Sequence, residues 1–532
     1  MNGRINKLRG GYYTPNNVAQ FICEWAITSP SATVFEPSCG DGAFIEAANQ
    51  RLSKLGAVDA GNQILGVELF SKEAEKARAK GGRVICSDFF TYCKSSDCAQ
   101  HFDAIVGNPP FIRYQDFGEE YRKIAFDLMK GYGLSPNRLT NIWLPFLIVC
   151  CHLLNDGGRL GMVIPAELFQ VNYAAETREF LTSYFSNITV ITFTELLFDG
   201  AQQEVILLLA ERADNGDQGV RVVEETNAET LLQLSASQLA LLPLKHRLPN
   251  AMKWQAYYLN SRALDLIAEL VNHADVHASS ELFDVNVGIV SGQNSFFIVD
   301  RDTARDKGIE ESCVPIISRS LQLDGIVLRD EDFNRQIDLQ RKVLLFLPGD
   351  VLSESDRDYV ASGESAGYNK NFKCRIRKPW YKVPTSWVPD AFFYRQVGAY
   401  PRIVINEKGT YVTDTLHKIR FTGNVDGRAV AVAFNNSLTF VASELMGRSY
   451  GGGVLTFEPS EARGLPIPFK RSYRFDFEKA DSLARRGKIE QLMDYVDEIT
   501  LINGIGLTRE EVSLLRESWL TLRNRRLMRK KR

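Results

Sequence analysis

Residues 108–111 read Asn-Pro-Pro-Phe, directly after the apolar run from Phe102 to Gly107. Two prolines fix φ and remove two N–H donors, so this turn is stiff and rich in acceptors. The side-chain oxygen of Asn108 and the carbonyl of Pro109 can accept the two hydrogens of a planar amine, with Phe111 over its face. A plain strand-ending turn with a packed Phe would read the same way. A second stretch, Phe35-Glu36-Pro37-Ser38-Cys39-Gly40-Asp41-Gly42-Ala43-Phe44, follows a β-rich run and opens a helix. Glycines in a first βα turn let the backbone approach a nucleotide-like ligand closely. The stretch lacks the third glycine of G-x-G-x-x-G and carries Glu36 where a phosphate would sit. An acid there suits a cationic, phosphate-free cofactor, and S-adenosyl-L-methionine fits.

Spacing adds weight to these two motifs. Glu68 ends the next β-rich run and can accept two ribose hydroxyls. Asp88 ends the third and can accept from an adenine amino group, with Phe89 against the ring. Each acid taken alone reads equally as a helix N-cap. Three acids at successive strand ends, followed by the Asn-Pro-Pro-Phe turn on a fourth, form a set that chance rarely supplies.

The elements that must position these residues are seven strand candidates alternating with helical stretches in the first 210 residues. They are ATVFEP, NQILGVEL, GRVICSD, FDAIVGNPP, GRLGMVIP, NITVITFTE and EVILLLAE. Such alternation predicts a parallel sheet covered by helices. The last two have no clear helix between them and are expected as an antiparallel pair at one edge. Asn141 to Leu154 has helical apolar spacing. Residues 215–251 are read as an inter-domain connection, and Trp254 to His273 as a helix leading into an irregular region. The last sixty residues are read as helical.

Length and composition bound what such a chain can be. Its 532 residues, 45% hydrophobic and 24% charged, predict two or three globular domains. Ile142 to Leu154 is the best apolar run and is too short to span a bilayer. Nine cysteines without a C-x-x-C pair indicate neither a zinc site nor a disulfide framework, and no metal is expected. A reduced, cytoplasmic protein with no membrane association is the expectation. The net charge of −2 hides an uneven distribution. Residues 1–250 hold 22 Lys/Arg against 28 Asp/Glu, whereas residues 365–475 hold 17 against 7. A locally basic second half is a reason to look for a polyanion.

The ordered motifs resemble the amino-group DNA methyltransferases of N6-adenine type, in the gamma-class order of the Taq enzyme. The matching residues are Tyr13-Thr14-Pro15, Glu36 to Phe44, Glu68, Asp88-Phe89 and Asn108-Pro109-Pro110-Phe111. They continue with Asn141, the turn Asn155-Asp156-Gly157-Gly158, and Leu197-Phe198 before EVILLLAE. The resemblance implies that Thr14 and Pro15 close over the methionine end of S-adenosyl-L-methionine, while Glu36 and Gly40 line its amino-acid portion. It implies ribose binding by Glu68 and adenine binding by Asp88 and Phe89. Asn108 and Pro109 would bind the target amine, and Phe111 and Phe198 would stack on the flipped base. Phe111 stands where Tyr is commoner, which excludes a hydroxyl role there.

The implied architecture is a Rossmann-like, S-adenosylmethionine-dependent methyltransferase domain over 1–245, followed by an α+β target-recognition domain over 250–532. Pieces of the second half, Gly288 to Gly292, Lys378 to Tyr381 and Gly447 to Gly453, look like parts of such recognition domains. Arg448 reads equally as a structural arginine. The resemblance implies a site-specific adenine-N6 methyltransferase of a restriction-modification system, acting as a monomer on double-stranded DNA. Any cognate restriction endonuclease would be a separate protein, since no Asp/Glu-x-Lys triplet occurs in the chain. A methyltransferase acting on RNA or on a protein glutamine amide is the alternative.

Overall fold

The β-rich runs of the first half form β1 (Val34–Glu36), β2 (Ile64–Glu68), β3 (Arg83–Cys86) and β4 (Phe102–Gly107). They continue with β5 (Leu154–Pro165), β6 (Asn187–Phe193), β7 (Val205–Glu211) and β8 (Gly219–Glu225). In the computed structural model all eight join one sheet in the order β3-β2-β1-β4-β5-β7-β6-β8. The structure describes residues 14–528, apart from 96–97, 99, 139, 170–171, 196, 198–203, 213–217, 247–252, 386, 424 and 451–452.

Pairing is parallel from β3 through β5, and β7 alone runs against its neighbours β5 and β6. Successive strand residues point to opposite faces, so a sheet covered on both sides needs apolar residues at every position. The two cores show this division. Val34, Ala104, Val106 and Val163 pack with helices Asn16–Ala26, Ala43–Leu55 and Ser71–Ala79. Phe35, Ile105, Met162 and Ile164 pack instead with helices Trp143–His152 and Ala175–Tyr184. The expected helix from Asn141 to Leu154 is therefore present but shorter, because Leu154 already belongs to β5.

Three expectations need correction. The stretch read as an inter-domain connection contains β8, which pairs in parallel with β6 over seven residues. Because β8 lies outside β6, the antiparallel pair β6–β7 is not at the sheet edge. Trp254–Tyr258 forms one 3-10 turn rather than the start of a long helix, and the following helix is Ser261–Val271. Buried Trp254 and Tyr257 belong to the core of Phe35, Ile105 and Met162. The chain divides accordingly into two compact units, Met1–Ser261 and Arg262–Arg532.

The second unit is α+β, and the region read as irregular holds a five-stranded sheet. Its strands are Phe283–Val287, Leu416–Phe421, Ala391–Tyr394, Ile403–Asn406 and Val327–Leu328, in that spatial order. The final helix, Arg509–Met528, packs on helix Ser437–Met446. There Arg526 meets Glu444 with contacts of 2.8 and 2.6 Å, and both side chains are 3% exposed. Arg526 also donates to the carbonyls of Gly398 at 2.8 Å and Gly453 at 2.6 Å. Every guanidinium edge is thus used, which a buried ion pair requires if it is to persist. Arg448 proves to be paired within the unit, 2.8 Å from Glu461.

Removing one partner of a buried pair costs about 3–5 kcal/mol, because the other charge stays buried. Arg526→Met should lower the urea midpoint accordingly, and the double variant Glu444→Leu/Arg526→Met should recover much of the loss. A double variant no more stable than the single one would show that the ion pair is not what the helix depends on.

Candidate active site

β1 lies between β2 and β4, so the ends of three parallel strands deliver Glu36, Glu68 and Asn108 to one crevice rim. Asp88 follows β3 by two residues. In open α/β sheets the carboxyl ends of the strands are where ligands bind.

The loop between β1 and its following helix is fixed from below. The N–H of Gly40 donates to Glu68 Oε2 at 2.8 Å, and that of Cys39 to the carbonyl of Val67 at 3.0 Å. Gly42 sits at φ 92°, and a Cβ there would lie 2.8 Å from Ala77 Cα. Only glycine satisfies both the left-handed backbone and that approach. The second oxygen of Glu68 accepts from the N–H of Phe70 at 2.9 Å. Asp88 caps its helix, with Oδ1 accepting from the N–H of Thr91 at 2.9 Å and its hydroxyl at 3.1 Å. The capping role foreseen as an alternative is therefore real for Asp88. A carboxylate has further acceptor sites, so a cap and a ligand contact are compatible.

Electrostatics set this rim apart. Glu36, Glu68 and Asp88 are all buried, and none forms a salt bridge among the described residues. Burial raises the carboxyl pKa of Glu36 well above the usual range, and the charges of Glu68 and Asp41 add to this, while the N–H of Ile45 opposes it. Burial likewise raises Glu68, against the N–H groups of Phe70 and Gly40, and raises Asp88, against Thr91. Glu36 Oε2 has no hydrogen-bond partner among the described residues. A bare buried carboxylate oxygen is costly, and a cation or strong donor placed against it would relieve the cost.

Asn108 is tied to the chain 94 residues earlier: its Nδ2 donates to Thr14 Oγ1 at 3.2 Å. That bond fixes the amide so that Oδ1 is its acceptor end. Pro15 immediately precedes the helix Asn16–Ala26 as its N-cap residue. Pro109 is buried, and Phe111 is half-buried against both cores at the end of the sheet. Phe89 is placed differently from the rest, stacked on Phe146 with centroids 4.6 Å apart inside the core. Tyr13 and Phe198 lie outside the described residues.

Two neighbours escaped the sequence reading. Leu69 and Phe70 are 42% and 41% exposed immediately after Glu68. Two apolar residues directly after an acid that ends a strand are a signal that could have been read. Asn141, matched by motif but given no role, is buried with Oδ1 unpartnered among the described residues. It is next to Ile142, whose N–H donates to the carbonyl of Ile112 at 3.1 Å.

Comparison with known proteins bears on this geometry. The Eco57I restriction-modification methylase family matches residues 57–198. The C-terminal domain family of the type II methyltransferase M.Eco57I matches residues 251–501. The chain is similar to the type II methyltransferase M.AccI of Acinetobacter calcoaceticus, 22% identical over 486 residues, covering 85% of this chain and 83% of that one. It is similar also to M.XamI of Xanthomonas campestris pv. amaranthicola, 23% identical over 483 residues, covering 86% and 85%. These matches support a DNA methyltransferase. Its fold resembles that of the type IIL restriction-modification enzyme MmeI in complex with DNA, with TM-score 0.58 and 10% identity over 93% of this chain and 73% of that one. In this chain the acidic rim and the Asn-Pro-Pro-Phe turn occupy adjoining strand ends of one sheet.

The raised pKa of Glu36 has a consequence for stability. The folded state holds the proton to higher pH than the unfolded state, so stability falls as pH rises from the ordinary glutamate range through the raised value. Glu36→Gln should therefore melt higher than the wild type near neutral pH without ligand, and the gap should narrow on acidification. Equal melting temperatures at neutral pH would show that Glu36 is not under electrostatic stress.

Proposed function

We propose that the chain is a site-specific DNA adenine-N6 methyltransferase that uses S-adenosyl-L-methionine and serves as the modification enzyme of a restriction-modification system. The observation that carries this reading is the adjacency of Glu36 on β1, whose Oε2 has no hydrogen-bond partner among the described residues, and the Asn108-Pro109 acceptors after β4. A site that joins an uncompensated acid to a pair of amine acceptors suits a cationic donor and an amino-group substrate.

The cofactor, when bound, supplies an already activated methyl group on a sulfonium. The residues of this chain do the rest by position and charge. Glu36 and Gly40 receive the cationic amino-acid portion, with Thr14 and Pro15 closing over it. Glu68 keeps acceptor capacity for ribose hydroxyls, and Asp88 for the adenine amino group. Leu69 and Phe70 offer the exposed apolar cover beside them, with Phe89 supporting from the core.

An adenine amine is a poor nucleophile because its lone pair is conjugated with the ring. Asn108 Oδ1 and the Pro109 carbonyl accept its two hydrogens and favour sp³ character on nitrogen. These acceptors would turn the lone pair toward where a bound cofactor would present its methyl group; displacement would release the cofactor as a thioether and the surplus amine proton to water, with no covalent enzyme intermediate. Thr14 acts through Asn108, because the bond to Nδ2 holds the amide in the accepting orientation. Phe111 stacks on the target base, and Phe198 is proposed beside it. The base must leave the duplex to reach this turn. The second unit carries the basic segment and serves target recognition on double-stranded DNA, with any restriction endonuclease a separate protein.

The test is single-turnover methyl transfer followed by identification of the modified base. Wild type should yield N6-methyladenine in DNA. Asn108→Ala should lose about 10²–10³ in rate, the usual cost of one preorganised polar partner. Its cofactor affinity should change little, since that acceptor acts mainly in the transition state. Methyl transfer to RNA or to a glutamine amide instead of DNA would sink the reading, as would an Asn108→Ala variant of wild-type rate.

A further inference from the structure

The second unit presents a cationic tip whose composition goes beyond a generally basic surface. Residues 370–378 read Lys-Asn-Phe-Lys-Cys-Arg-Ile-Arg-Lys, five cations in nine residues and no acid. None of the five forms a salt bridge among the described residues, although Lys382, close in sequence, pairs with Asp350. Within this stretch Phe372 is 62% exposed and Ile376 is 61% exposed. Phe372 is the more exposed of the two phenylalanines that stand out from the surface among the described residues. Residues four apart on a helical turn share a face, so Phe372 and Ile376 form one apolar point. Lys373 Nζ lies 5.7 Å and Arg375 Cζ 5.5 Å from the Phe372 ring centroid.

The point is rigidly mounted. Cys374, between the two exposed residues, is fully buried in the hydrophobic cluster of Phe296, Phe346 and Tyr359. Arg377 donates at 2.6 Å to each of the carbonyls of Val290 and Ser291, and Asn371 donates at 2.9 Å to Gln293. Gly292, at φ 87°, lets that loop approach: a Cβ there would lie 2.9 Å from Lys373 Cβ. One loop distant in sequence, residues 290–293, therefore clamps a short turn whose Phe372 and Ile376 are exposed. An exposed apolar pair, kept rigid and ringed by unpaired cations, is poorly suited to water and well suited to a polyanion with an apolar interior.

We propose that this tip is a wedge for duplex DNA, in which Phe372, backed by Ile376, inserts at a base step while Lys373 and Arg375 hold the flanking phosphates. The proposal rests on the reading of this chain as a DNA-modifying enzyme and deepens it by naming an element that distorts the helix. Apolar side chains inserted between base steps partly unstack them and bend the duplex, and neighbouring cations offset the cost through phosphate contacts. The occupant is nucleic acid rather than protein because five cations without an acid complement a phosphate backbone.

The experiment uses the full-length protein and compares wild type with Phe372→Ala, Phe372→Leu and Lys373→Gln/Arg375→Gln. Phe372→Ala should weaken binding to an intact methylatable duplex roughly 10- to 100-fold, the scale of one lost stacking contact. Phe372→Leu should fall between it and wild type. Duplexes carrying a single nick, scanned along the site, should include one that restores much of the Phe372→Ala affinity, since a nicked step is cheaper to open. Lys373→Gln/Arg375→Gln should reduce the slope of log affinity against log salt by about 2. Cofactor binding, followed separately, should stay at wild-type level in all variants. Unchanged affinity and salt slope in these variants, with wild-type DNA methylation intact, overturns the wedge and leaves the functional reading standing. A tip that instead mediates self-association, seen as a dimer lost in Phe372→Ala with DNA affinity unchanged, overturns it too. Failure of the wild type itself to methylate DNA overturns the functional reading.

Discussion

A buried carboxylate without a counter-charge is the constraint on which the first unit turns. Glu36 ends β1, an interior strand of the sheet, is 2% exposed, and leaves Oε2 without a partner among the described residues. Such a group opposes folding, and an apolar core would not retain it for stability. The surrounding structure nonetheless holds it rigidly. Glu68 is committed to the N–H groups of Gly40 and Phe70, so it cannot relieve Glu36 and instead repels it. The cost is recovered only when something positive or strongly donating arrives, which ties stability of the fold to occupancy of the site. Under the proposed function, that arrival is the cofactor.

Much of the site was legible because its residue types sit at strand ends, where apolar runs stop and acids or prolines begin. Glu36, Glu68 and Asp88 follow such runs directly, and the sheet order then brings β3, β2, β1 and β4 side by side. What escaped the sequence was whatever depends on contact at a distance. The bond between Thr14 and Asn108 spans 94 residues, and no local pattern announces it. Phe89 follows Asp88 as a cofactor-facing ring would, yet its ring is stacked on Phe146 in the core. Leu69 reads as the last residue of a strand, and it and Phe70 prove to be exposed beside the acid.

Element boundaries failed for related reasons. β8 carries Arg221 and two glutamates, and as an edge strand it buries only its first two residues fully, so its sequence does not read as an apolar run. Trp254 and Tyr257 look like the start of an amphipathic helix, but they fill the core of Phe35 and Ile105, and the first unit extends to Ser261. In the second unit several strands are only two to four residues long and are broken by Gly and Pro, which hides the sheet. The carbonyl of Gly453 accepts from Arg526, 73 residues later, a contact that no local pattern announces.

The central claim is that Glu36 is stored as an uncompensated acid and is discharged by a cationic ligand. Calorimetric titration of the full-length protein with S-adenosyl-L-methionine, repeated in buffers of different ionisation enthalpy, measures the protons released on binding. Below the raised pKa of Glu36 the wild type should release a proton and bind more tightly as pH rises, whereas Glu36→Gln should bind more weakly and release none. Equal affinity and equal proton release in the two proteins would contradict the account.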